Sequence, residues 1–172
     1  MATNPTFLRA LTVAVPLALA ALAGCSEPRV DKWRKDLAAA EGRWRSAGLR
    51  DYEMDVVRSC YCLDAQNRPV TVTVRGGAFA SLVFMDSAGT AADTSLFQQY
   101  LTMDRIFALL HDVLDTEPAA LHAEYNAAYG FPTLWAVDPD NRMVDEEFTI
   151  QVLALRPLAA GTLAGRSGAP PR

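Results

Sequence analysis

The chain has 172 residues, of which 51% are hydrophobic and 21% charged, with 16 basic and 20 acidic residues and a net charge of −4. That length suits one domain with a real core. A mildly acidic chain without a basic block is unsuited to nucleic acid or to anionic lipid.

Residues 1–24 read as an export leader. Arg9 and the amino terminus supply positive charge, and residues 10–23 form an apolar run interrupted only by Thr12 and Pro16. The run is shorter than the ~20 residues a spanning helix needs and about as long as a signal-peptide core. It ends in Leu22-Ala23-Gly24-Cys25, which resembles the lipobox of bacterial lipoproteins. The resemblance implies cleavage before Cys25, a diacylglyceryl thioether on its sulfur and an acyl chain on its new amino group. Several chains together anchor a protein stably, where one does not. The expected location is the cell envelope. Ser26 follows the cysteine, which in a Gram-negative cell favours the outer membrane, facing the periplasm. Without the leader the chain carries 15 basic against 20 acidic residues, a charge of −5.

Residues 25–31 read as a short lipidated tether, and residues 32–156 as a single α+β domain. Trp33, Leu37, Ala40 and Trp44 share one helical face, and Gly48 is placed to end that helix. Tyr52, Met54 and Val56 alternate with Glu53 and Asp55, and Val70, Val72 and Val74 with Thr71, Thr73 and Arg75. Each pattern is a strand with one wet face. Gly76-Gly77 signals a tight hairpin, residues 79–85 supply a third strand, and residues 86–89 a turn. Residues 90–101 carry no clear period. Thr102 is placed as the N-cap of a second helix with the stripe Met103, Ile106, Phe107, Leu110, Val113 and Leu114, and Pro118 follows its end.

Three more strands are expected. Leu121, Ala123 and Tyr125 alternate with polar residues, residues 133–137 form a short apolar strand before an Asp-Pro-Asp-Asn turn, and Phe148, Ile150 and Val152 lead a last strand to about Leu155. The order is α-β-β-β-α-β-β-β. The fold class is α+β, antiparallel sheet or sheets with two helices packed on one face. Residues 157–172, rich in Gly, Ala, Pro and Arg, are expected to be a disordered tail.

Cys60-Tyr61-Cys62 is the most unusual local feature. With Cys25 acylated these are the only thiols left, and an oxidising compartment favours their disulfide. In an extended strand the two Cα atoms stand roughly 6.6 Å apart, near the limit for a disulfide. The strand must therefore bend there. A structural disulfide, a redox-active one, and free or metal-binding thiols all remain open readings. His111 and His122 are the only histidines, and neither is at a recognised ligand spacing to the cysteines. No metal or other cofactor is assigned. The acidic run Asp138, Asp140, Asp145, Glu146 and Glu147 fails the EF-hand pattern, because Met143 and Thr149 stand where that loop needs Gly and Glu. There is no nucleophile elbow and no phosphate loop, so no catalytic residue is assigned.

Several short motifs occur together: Arg43-Trp44, Gly48-Leu49 with Tyr52, Cys60-Tyr61-Cys62, Pro69-Val70-Thr71-Val72, Tyr129-Gly130-Phe131-Pro132, Asp138, and Asp145-Glu146. In this order, from about residue 43 to residue 155, they resemble bacterial lipoproteins grouped as domain of unknown function 6174. The resemblance implies one envelope domain and makes the cysteine pair a family feature. It implies no activity, and it marks Tyr129, Gly130, Pro132, Asp145 and Glu146 as candidates for a shared surface or, equally, for a shared structural requirement. The reading of function is a membrane-anchored, non-enzymatic binding or structural module with an envelope-protein or cell-wall partner. The alternative is a thiol-redox or metal-binding role for Cys60 and Cys62.

Overall fold

A computed structural model describes residues 29–86 and 90–159. The leader, Cys25, the tether up to residue 28, residues 87–89 of the expected turn and the tail from residue 160 lie outside the described residues. Helix α1 is Arg29–Ala47, so it takes in residues 29–31 of the expected tether. Asp31 in its first turn complements the positive end of the helix dipole. Leu37, Ala40 and Trp44 are buried as one stripe. Gly48 follows with φ +62°, the left-handed geometry of a C′ residue.

Strands β1 (Tyr52–Cys60), β2 (Val70–Arg75) and β3 (Ala78–Phe84) form an antiparallel meander. Gly76 and Gly77 fill its second turn with φ +59° and +82°, and a two-residue hairpin of this hand needs positive φ at both positions. Residues 90–101 touch the edge of β3 through an Ala91–Val83 bridge, then wind into 3-10 turns over Thr94–Tyr100 that bury Phe97 and Tyr100. Helix α2 is Met103–Asp115, and the Thr102 hydroxyl accepts a hydrogen bond from the Arg105 amide at 3.2 Å. Strands β4 (Ala120–Tyr125), β5 (Pro132–Asp138) and β6 (Phe148–Pro157) form the second meander. No helix among the described residues is long and apolar enough to cross a membrane.

The two halves share a single six-stranded antiparallel sheet in the order β3-β2-β1-β6-β5-β4, because β1 pairs with β6 along its whole length. Both helices bury their stripes in one core with the Tyr52, Met54 and Val56 side of the sheet. Three bulges keep that side apolar. Leu153 is unpaired on β6, so Val152 opposite Val56 and Leu155 opposite Met54 face the core across a change of phase. Ala80 is the unpaired residue on β3, beyond which Leu82 and Phe84 face the core, and Thr133 is that on β5, between Pro132 and Trp135.

One joint ties the helices to the sheet. The Trp44 and Tyr52 rings meet edge to face at 5.3 Å, and the Trp44 indole N–H donates to Asp104 at 3.3 Å. The Tyr52 hydroxyl accepts from the Met103 amide, one of the donors that the start of α2 leaves free, at 2.9 Å. Burial pushes the Tyr52 phenol up to about 12, against the lowering effect of the Met103 amide. Tyr52→Phe keeps the ring and strands that amide, so chemical denaturation should show a loss of about 1 kcal/mol.

Candidate functional site

The cysteine pair lies where β1 ends. Cys60 and Cys62 are joined as a disulfide with Cα atoms 5.3 Å apart. That is shorter than an extended strand allows, and the chain bends out of the ladder immediately after Cys60. Asn67, in the 3-10 turn Asp64–Asn67, holds the bend. Its side-chain oxygen accepts from the Cys60 amide at 2.9 Å, and its NH₂ donates to the Cys60 carbonyl at 3.2 Å. The amide thus continues the strand pairing that β2 no longer supplies. The same oxygen lies 3.6 Å from both sulfurs, a contact rather than a hydrogen bond, since disulfide sulfur carries no proton. A shallow cleft of about 270 Å³ opens beside the bend, lined by Ser59, Cys60, Tyr61, Asp145, Glu147 and Thr149.

The ring closed by this disulfide is small, so it removes little entropy from the unfolded chain. Urea unfolding with and without reductant should differ by no more than about 1.5 kcal/mol, the loop-closure value for so short a loop.

The candidate shared surface is divided by the structure. Pro132 begins β5 and Asp145-Glu146 precede β6, and these strands are antiparallel, so the two groups stand at opposite ends of the sheet. Asp145 joins the disulfide end, in left-handed backbone at φ +74°. Tyr129 and Gly130 belong to the β4–β5 turn, which packs against α1 at Gly130, and Pro132 opens the strand that follows it. Asn126 builds that turn: its side chain accepts from the Ala128 and Tyr129 amides, and its carbonyl accepts from Gly130 at 2.9 Å. These residues form a joint and not one surface with the acidic pair.

The histidines are apart from the cysteines. His111 reaches Glu41 on α1 at 3.0 Å, and His122 reaches Glu124 on β4 at 3.0 Å, both exposed. Asp140 is engaged by its own loop, where hydrogen bonds from the Arg142 side chain and amide hold its carboxyl below the usual range. Among the described residues no group of three His, Cys, Asp or Glu is placed to hold a metal ion.

A second polar cluster had no separate signal in the sequence. Asp55 lies on the sheet face opposite the helices, yet only 7% of it is exposed. Arg156 donates two parallel hydrogen bonds to its carboxylate at 2.7 and 2.8 Å, and the Thr71 hydroxyl a third at 2.7 Å. The Leu153 bulge makes this pairing, since without it residue 156 would face the core. The Arg156 hydrogen bonds hold the Asp55 carboxyl below its ordinary range, against the opposing effect of burial.

The sequence profile of a family of unknown function, DUF6174, matches residues 36–157. The chain belongs to that family. The match begins within α1 and ends with β6, so the DUF6174 unit here is the sheet together with its two helices. Most motifs that carry the family resemblance fall on joints of this unit: Trp44 on Tyr52, Gly130 on α1, and Cys60 on Asn67. Comparison with curated proteins and with solved structures found no match.

Proposed function

We propose that this DUF6174 chain is a lipid-anchored envelope protein whose domain is a non-enzymatic binding module. One observation carries the binding reading: two helices cover one face of a six-stranded sheet, while the other face is left to half-exposed residues such as Glu53, Thr71, Thr73 and Gln151. These named residues are polar and lie beside the fixed Asp55–Arg156 pair, which suits a protein or cell-wall partner laid flat across the strands. The anchor reading rests on Leu22-Ala23-Gly24-Cys25. Labelling with an alkyne palmitate should mark the wild type and leave Cys25→Ser unmarked. Photo-crosslinking residues placed at Thr73 and Gln151 should capture a discrete envelope partner in intact cells. Absence of label overturns the anchor. Absence of any adduct at both positions overturns the binding face.

A second reading is favoured by the half-exposed disulfide beside an exposed Tyr61. In a thiol-redox role, a partner dithiol would give two electrons and two protons to the Cys60–Cys62 bond, breaking it to two thiols while the partner closes its own disulfide. Alkylation in redox buffers decides this. Reduction near the potentials of thiol oxidoreductases supports it, and a bond that survives them removes it.

A further inference from the structure

We infer that the disulfide end of the sheet rests on the bilayer that holds the acylated Cys25, with Tyr61, Leu63, Met85, Met143 and Val144 as the contacting side chains. This rests on the anchor reading above and goes beyond it by orienting the domain. Seven large apolar residues among the described ones are exposed, and these five are at one end; Tyr61 is 82% and Val144 80% exposed. Only Phe79 and Leu153 lie elsewhere.

The pairing places the five together. Cys60 at the end of β1 is opposite Phe148 at the start of β6, so the loop with Tyr61 and Leu63 adjoins the β5–β6 loop with Met143 and Val144. Met85 follows the end of β3 on the same side, and its amide donates to the Pro69 carbonyl just before β2. Apolar side chains gathered at one end of a soluble domain mark a contact surface.

The bilayer is the occupant because of where α1 begins. Arg34 in the second turn of α1 donates to the Leu114 carbonyl at the end of α2 and pairs with Asp115 at 3.6 Å. From there the chain runs directly to β4, where the Ala119 amide donates to Pro139 at the start of the loop holding Met143 and Val144. The beginning of α1 is therefore at the disulfide end. Four residues take the chain from Cys25 to Arg29, and four extended residues reach at most roughly 14 Å. An anchor so short brings this end, and not the Gly76-Gly77 end, to the lipid. In and beside the β5–β6 loop at this end Asp138, Asp140, Asp145, Glu146 and Glu147 outnumber Arg142, and they offset Arg29, Lys32 and Arg34 at the start of α1, so a zwitterionic surface suits this end better than an anionic one.

The test uses the acylated chain in phosphatidylcholine vesicles with brominated acyl chains, which quench tryptophan at close range. Leu63→Trp and Val144→Trp, on two separate loops, each add an emitter at the disulfide end, and Phe79→Trp adds one at the other end. The wild type, with its three tryptophans, sets the background. The expected result is loss of the added fluorescence at 63 and 144 and none at 79. Replacing part of the lipid with phosphatidylglycerol should lessen that loss. Fluorescence unchanged at 63 and 144, or lost equally at 79, overturns the orientation with the anchor intact. The mass of the same preparation reports the acyl group separately, and an unacylated chain removes the anchor and the orientation together.

Discussion

Gly130→Ala should destabilise the domain by about 4 kcal/mol in chemical denaturation, the largest effect expected of a methyl group added at any described glycine. Two costs combine. Gly130 has φ +81°, where an L-residue with a Cβ loses roughly 1–2 kcal/mol. The added carbon would also stand 2.1 Å from the Ala40 carbonyl oxygen and 2.8 Å from the Arg43 Cβ. Ala40 is backbone in the middle of α1, so no rotamer relieves the contact. The helix must withdraw, and Leu37, Ala40 and Trp44 leave the core with it. Gly48→Ala is the control. Its φ is also positive, at +62°, but nothing lies within 4 Å of the added carbon, so it should cost only about 1 kcal/mol. Equal losses at the two positions would show that backbone strain, and not the approach of α1 to the turn, is what Gly130 serves.

That contrast shows where the sequence was legible. The stripe of α2, the Thr102 cap, the Gly76-Gly77 hairpin and the alternation in β2 are local patterns, and each formed as its spacing predicts. The α+β order followed from them. The change of phase around Leu153 was not read, because Phe148, Ile150 and Val152 suggest an unbroken alternation that would put Arg156 toward the core. Only the pairing with β1 places a bulge there. Residues 90–101 showed no period because 3-10 turns broken at Phe97 have none. At the candidate site the spacing of Cys60 and Cys62 showed that a bond between them needs a bend in the strand, while the disulfide and free-thiol readings stayed open in the sequence. Asn67 was not, since an Asn seven residues from a cysteine is ordinary loop composition until the chain turns back. That Gly130 and Asp145 stand at opposite ends of the sheet was not legible either, because proximity across a sheet depends on strand direction, which motif order does not carry.

Asp55→Ala should cost about 2 kcal/mol near neutral pH, the second largest effect expected, and the cost should vanish in acid. The substitution removes two hydrogen bonds from Arg156 and one from Thr71. Breaking a fully buried ion pair costs more, because it strands a charge. Here the Arg156 side chain is 47% exposed and water takes over its charge, so the smaller figure applies. The sign with pH follows from the carboxyl being held down in the folded state, chiefly by Arg156. An unfolded aspartate titrates near about 3.9. The folded state therefore gains from the ionised pair above that value, and the gain is lost as pH falls through the lower folded pKa. Urea unfolding of the wild type and Asp55→Ala, followed from pH 7 downward, should show a gap that stays constant to about pH 5 and then closes. A gap that persists unchanged at the lowest pH would assign Asp55 a packing role in place of an electrostatic one. A gap that stays full to about pH 5 and closes below it makes the Asp55–Arg156 pair, set by one bulged leucine, a fixed electrostatic feature of the face proposed to bind.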